Sequence, residues 1–287
     1  MNAPTKKLCR QGDWDAGTFD RRLKEITPAP RNGRRRRSAA IGVVSFRCGV
    51  RARRHAIQRV VELLADRMPG LLLLPGVSGT CAWDWTEELL RSANEYDVAL
   101  LFETCCEKDR VFLGYDPARG VLPNRLRQVF ATSEEARRDP QCVENVLAEC
   151  GRNSQRVFKF GCGPVGVLVC GENNVLRNRQ AEGNAVEVRG HPERQSLFDG
   201  APIVLNAAHT IMGNWPKLHK RLEFLSRGRL AAFCTNNDGG QSWRSAVVVY
   251  RDGCKIADGE EVVDGVKGVS LVSDLKDRFR VVVVERG

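Results

Sequence analysis

The chain has 287 residues, 42% hydrophobic and 28% charged, enough to bury a full core under a soluble surface and to exclude a chain disordered throughout. Its length fits one α/β domain plus a tail. The formal charge of +10 raises an anionic partner, and where that charge sits decides how much weight it carries.

Residues 1–38 hold 11 Lys or Arg against 4 Asp or Glu, and residues 39–60 add five Arg and no acid. Residues 61–287 then carry 29 bases and 31 acids, so the body of the protein is near neutral. Residues 1–38, with Pro4, Pro28, Pro30, Gly33 and the run Arg34, Arg35, Arg36 and Arg37, read as a basic arm, flexible or loosely docked, whose one amphipathic stretch is Phe19 to Ile26. A solvated linker is the plainer use of that run; a nucleic-acid contact through it is the alternative. Residues 39–287 form the folded domain. Residues 41–45 (Ile-Gly-Val-Val-Ser) predict a buried strand, 55–68 a helix, and 71–74 a second strand stopped by Pro75 and Gly76, which makes a parallel strand, helix, strand unit. A helix over 86–94 and a strand over 98–102 follow. Residues 110–115 and 125–130 read as short strands, 141–148 as a helix, and 157–160 with 165–170 as a hairpin. Beyond a polar loop over 173–195, the pattern gives a strand at 203–205, a helix at 217–225 and a strand at 230–235. Short strands then follow at 245–250, 262–263, 268–272 and 280–284, with Asp252-Gly253 as a hairpin turn. Alternating strands and helices that pass into many short strands predict an α/β or α+β layered sandwich.

The first ten residues are polar, and no apolar run approaches the length of a transmembrane helix, so a cytoplasmic protein with no membrane contact is expected. Eleven cysteines, none in a Cys-x-x-Cys pair and only Cys105 and Cys106 adjacent, fit a reducing compartment and predict no metal site. No cofactor motif is present.

The most informative stretch is 159–174, Lys-Phe-Gly-Cys-Gly-Pro-Val-Gly-Val-Leu-Val-Cys-Gly-Glu-Asn-Asn. Cys170 closes an apolar strand and is followed at once by Gly171, where a sharp turn presents the sulfur at the sheet rim with backbone N–H groups behind it. Glu172, two residues on, could orient the site. This is the pattern of a thiol nucleophile for acyl transfer; a buried strand-end cysteine has the same pattern.

The segment, with the order of elements over residues 40–287, resembles the nitrilase superfamily of carbon-nitrogen hydrolases, in which a Gly-Val-x-x-Cys-x-Glu/Asp strand end carries the nucleophile. Residues 206–237, with Trp215 leading a helix into Leu-Ala-Ala-Phe-Cys-Thr-Asn-Asn, are similar to the segment after the nucleophile. The resemblance implies a four-layer α-β-β-α sandwich, a homodimer or larger homo-oligomer, and a small-molecule amide-like substrate, with Cys170 forming a thioester. It also implies a Glu base and a Lys that stabilises the tetrahedral intermediate. Here the base position is Gly76, which has no side chain, and the Lys position is Arg127, with Glu135 or Glu134 at an auxiliary glutamate position. Arg keeps the charge but not the size or acidity of Lys.

Two functions follow. One is a diverged amidohydrolase with Cys170, Arg127 and Glu135 as catalytic residues, and with Glu134, Glu172, Gly171 and Gly76 lining the pocket. The other is a degenerate relative that binds a small ligand or acts as a scaffold. A carboxylate beside Cys170 would favour the enzyme; Glu103, Glu172 and Glu135 are the candidates. His209, just past the strand at 203–205, could form a Cys-His pair, although a loop histidine near Trp215 is the commoner use.

Overall fold

The computed structural model describes residues 16–30, 40–65, 69–76, 83–106, 109–151, 154–179, 182–183, 185–210, 213–237 and 242–285. In chain order the elements are α1 (Ala16–Ile26), β1 (Ala40–Phe46), α2 (Val50–Ala65), β2 (Pro69–Leu73), α3 (Trp83–Glu95), β3 (Ala99–Cys106), β4 (Asp109–Asp116) and β5 (Gly120–Val121). They continue with α4 (Glu135–Arg138), α5 (Pro140–Ala148), β6 (Val157–Phe160), β7 (Gly163–Val169), a 3-10 helix (Cys170–Val175), β8 (Leu176–Arg179) and β9 (Ala185–Val188). The last are β10 (Ile203–Ala208), α6 (Trp215–Leu225), β11 (Leu230–Thr235), β12 (Val247–Arg251), β13 (Cys254–Asp258), β14 (Val269–Ser273) and β15 (Phe279–Val284).

Two large sheets result, ordered β14-β15-β1-β2-β3-β4-β5 and β13-β12-β11-β10-β7-β6, with β8 and β9 as a separate hairpin. β1, β2 and β3 run parallel, as do β7, β10 and β11. Alternation in β1 shows how the layers form. Ala40, Val44 and Phe46 pack with Phe19, Val60, Leu89 and Leu90 on the helix side, while Ile41 and Val43 pack with Val167, Leu205 and Ala232 of the other sheet. Leu168 and Val204 turn instead to a third apolar layer with Leu218, Leu222 and Val146. Strands covered on both faces need apolar residues at every position rather than every second one, which is why β1, β10 and β11 are buried throughout. The layers are helix, sheet, sheet, helix, and the expected α-β-β-α sandwich is present.

The structure differs from what the sequence predicts in several places: residues 262–263 form only a bridge from Val262 to Ala257, and β13 at Cys254–Asp258 lies outside the predicted strands. Part of the supposed flexible arm is a docked helix: Phe19, Leu23 and Ile26 of α1 are buried, Phe19 lies 5.2 Å from Trp83, and Asp20 receives Arg125 Nε at 2.9 Å. The amphipathic stretch from Phe19 to Ile26 is the part that docks, with its apolar stripe at helical spacing turned inward. The arginine run at 34–37 lies outside the described residues. Residues 125–130 form no strand; only Leu126 bridges Phe112, because Asn124, Arg125 and Gln128 spend side-chain bonds on neighbouring carbonyls. The supposed loop at 173–195 contains the 3-10 helix and the β8-β9 hairpin. Among the described residues, no helix is long and apolar enough to cross a membrane.

Candidate active site

The parallel strands of both sheets deliver their C-terminal ends to one edge of the sandwich, the usual place for a site in open α/β sheets. Three such ends and one strand interior meet there. β7 ends at Val169 and presents Cys170; β10 ends at Ala208 and presents His209; β2 leads into Gly76; and Glu103 projects from β3.

Cys170 has φ 47°, a left-handed conformation that costs a non-glycine residue on the order of 1–3 kcal/mol. The surroundings hold it there. Glu172 is fully buried and accepts the Val169 N–H at 2.8 Å and the Val129 N–H at 2.6 Å. It also pairs bidentately with the buried Arg156 at 2.6 and 3.0 Å. Burial pushes the Glu172 carboxyl up, against the pull of Arg156 and the two N–H groups. Asn206, inside β10, donates Nδ2 to the Cys170 carbonyl at 3.1 Å and to that of Leu168 at 3.2 Å, and its Oδ1 takes Asn173 Nδ2 at 2.9 Å. Arg221 of α6 closes the bracing from below, with bonds to Asn173, Asn174 and Asn178 at 2.9 to 3.0 Å. Burial among these neutral amides lowers the Arg221 guanidinium to about 10.

At the sulfur itself the neighbour is an imidazole. β7 and β10 pair in parallel with Val169 opposite Ala207, which sets Cys170 and His209 beside each other just past the strand ends. Burial opposes a thiolate, yet the His209 imidazole and the nearby backbone N–H groups of His209 and Gly171 hold the Cys170 thiol below its ordinary range. Burial likewise opposes a charged His209, but the adjacent Cys170 and Glu103 raise it to about 9. His209 Nε2 lies 2.9 Å from Glu103 Oε1, and Arg110 faces the other carboxylate oxygen at 3.6 Å. Glu103 is almost wholly buried.

Gly76 explains how the imidazole fits. Its N–H donates to the Ala208 carbonyl at 3.1 Å, and its own carbonyl accepts from Asn236 Nδ2. A Cβ at this position would sit 2.3 Å from His209 Cδ2 and 2.9 Å from His209 Nε2. The backbone is clamped on both sides, so a side chain at 76 and the His209 ring compete for one space.

The other candidate residues take different places around the Cys170 turn. Glu172 is committed to Arg156 and the turn, and is not the carboxylate beside Cys170. Gly171 is closed off rather than open: an added Cβ would meet the Ala131 carbonyl at 1.7 Å. This close approach seats the 127–135 segment on the Cys170 turn. Arg127 lies partly buried in that segment, two residues before the Val129 amide that Glu172 holds. Glu135 accepts the Ala131 N–H at 2.7 Å and so fastens the same segment, while Glu134 is exposed and faces Arg138. Among the described residues, no group of three His, Cys, Asp or Glu could hold a metal. The sequence reading missed Arg156, Asn206 and Arg221. A polar Asn inside the apolar run at 203–208 was the available signal for one of them.

No family model matches the sequence, and no curated protein does. Solved structures do match. A variant of the amidase from Nesterenkonia sp. AN1, with the acetamide moiety of fluoroacetamide added covalently at its active-site cysteine, superposes with TM-score 0.53 at 14% identity, covering 89% of this chain and 93% of that one. Another structure of an amidase from Nesterenkonia sp. gives 0.52 at 14%, covering 88% and 92%. The Caenorhabditis elegans NitFhit protein gives 0.49 at 9%, covering 86% and 60%. The Nesterenkonia amidase is of the nitrilase superfamily, and the two facing sheets with helices outside them are its fold in this chain as well.

Proposed function

We propose that the protein is a thiol hydrolase that cleaves a carbon-nitrogen bond in small amide-type acyl compounds, with Cys170 as nucleophile. The observation that carries this reading is the placement of Cys170. It sits in a left-handed turn at the rim of the sheet, held by the bonds of Glu172 and Asn206 and set beside an imidazole. A structural strand-end cysteine needs none of this, and the strain is characteristic of an elbow that exposes a nucleophile. The amidase of like fold, whose active-site cysteine takes up an acetamide moiety, supports the substrate class. In the reaction the Cys170 thiolate attacks the acyl carbon and the carbon-oxygen double bond opens to an oxyanion. The oxyanion collapses with loss of ammonia or an amine, and water then hydrolyses the thioester. Arg127 and Glu135, at the family's Lys and auxiliary Glu positions, belong to the same proposal as supporting residues, with Arg127 offering positive charge to the oxyanion.

The degenerate alternative rests on a base position without a side chain; the imidazole held by Glu103 beside Cys170 is the observation that favours the enzyme over it. The test is intact-mass analysis of the full chain with acetamide, propionamide, benzamide and fluoroacetamide, together with ammonia release. A covalent adduct that maps to Cys170 and is lost in Cys170→Ala is expected. No adduct and no ammonia from any of these compounds would overturn the reading.

A further inference from the structure

We propose that Cys170, His209 and Glu103 form a catalytic triad in which His209 has taken over the proton transfers of the missing glutamate, made possible by the glycine at position 76. This rests on the hydrolase reading above and specifies how its site works.

The geometry carries the assignment. Proton transfer needs a group of suitable acidity in hydrogen-bond contact with the sulfur and held in one orientation. His209 stands beside Cys170, because β10 and β7 pair in parallel with Ala207 opposite Val169 and each residue follows its strand end. Its Nε2 is fixed at 2.9 Å from Glu103 Oε1, which leaves Nδ1 as the ring nitrogen for proton exchange with the sulfur. Glu103 comes from the opposite sheet and is buried, so it positions the ring and balances its charge without touching the sulfur. The ring lies where a side chain at 76 would begin, 2.3 Å from the Cβ that glycine lacks. A side chain at 76, just past β2, and the imidazole at the end of β10 therefore exclude each other.

The proton balance is complete within these groups. The Cys170 thiol proton passes to His209 Nδ1, giving a thiolate and an imidazolium paired to Glu103. As the carbon-sulfur bond forms and the carbon-nitrogen bond breaks, the imidazolium proton goes to the departing nitrogen. In deacylation the neutral ring takes a proton from water as its oxygen attacks the thioester, and the sulfur leaves as thiolate.

The test needs no known substrate. The rate of Cys170 alkylation by iodoacetamide, followed by peptide mapping of the full chain from pH 5 to 10, reads the thiolate directly. The native protein is expected to react well below the pH range of an ordinary thiol. His209→Gln and His209→Asn should slow the reaction at pH 6 at least about tenfold and return the profile to an unassisted thiol near pH 8.5. Gly76→Ala should do the same by displacing the ring, and Glu103→Gln should give a smaller displacement of the profile. Circular dichroism and thermal melting identify variants that stay folded. Unchanged profiles in folded His209→Gln and Gly76→Ala proteins would overturn the triad. A His209-dependent profile without acylation by any amide would instead retain the triad and sink the hydrolase reading. Where an amide is turned over, loss of His209 should lower kcat by about 10² to 10⁴.

Discussion

Among the cysteines whose side chains are described, seven are free, and their environments divide them by chemistry. A hydrogen bond to Asp139 raises Cys142 to about 11, and burial raises Cys150 to about 12, whereas the imidazole beside Cys170 works in the other direction. At pH 7, iodoacetamide should therefore label Cys170 at least about tenfold faster than Cys142, and leave Cys150 unlabelled in the folded protein. Equal labelling of Cys142 and Cys170 in a time course would show that no thiolate forms at the turn. The reactive window follows from the same two groups. The thiolate and imidazolium pair exists above the lowered Cys170 value and is lost as His209 gives up its proton near pH 9, so turnover that needs the imidazolium as acid should fall above that pH. Of these residues, the sequence offered Cys170 through its strand-end position and the Gly after it. His209 was legible only as one possible partner of Cys170, and its link to Glu103 was not, because the two lie more than a hundred positions apart and only the packing of one sheet on the other brings them to 2.9 Å.

At the scale of elements, the turn after β7 owes its shape to neighbours rather than to its own propensity. Asn214 caps α6 by accepting the Lys217 N–H at 3.2 Å, and α6 in turn places Arg221 under the asparagines of the 3-10 helix. The helix α1 shows the converse case, an element whose amphipathic stripe was present in the sequence but lay within a basic, proline-containing segment. Deleting residues 1–27 uncovers the surface that Phe19, Leu23 and Ile26 bury, at a cost on the order of a few kcal/mol. Thermal melting of the truncated chain should fall by several degrees. An unchanged melting temperature would mean that α1 adds nothing to the core.

Across the whole molecule, the site exists because two sheets are fastened to each other at the same edge. Asn237 donates its N–H to the Phe46 carbonyl at 2.6 Å, Ser45 reaches the Thr235 carbonyl at 2.5 Å, and Asn236 holds the Gly76 carbonyl. Trp243 lies between the guanidinium groups of Arg47 and Arg280, at 4.4 and 5.1 Å, and binds Asp277 through Nε1 at 3.0 Å. Asn236→Ala should cost about 1–3 kcal/mol by leaving the Gly76 carbonyl without that donor, and should slow Cys170 alkylation more than twofold by loosening the wall behind His209. A variant with reduced melting temperature but native alkylation would show that the Asn236 bond is structural only. By itself the sequence determined the layered α/β class, most element positions and the strand-end cysteine, since hydrophobic period and turn residues are local signals. It also showed that position 76 carries no base. Only the tertiary structure decided what fills that position. The space belongs to Gly76 of one sheet, the ring to the end of a strand in the other, and the carboxylate that orients it to a third strand, a relation set by packing across the sandwich and carried by no contiguous stretch of residues.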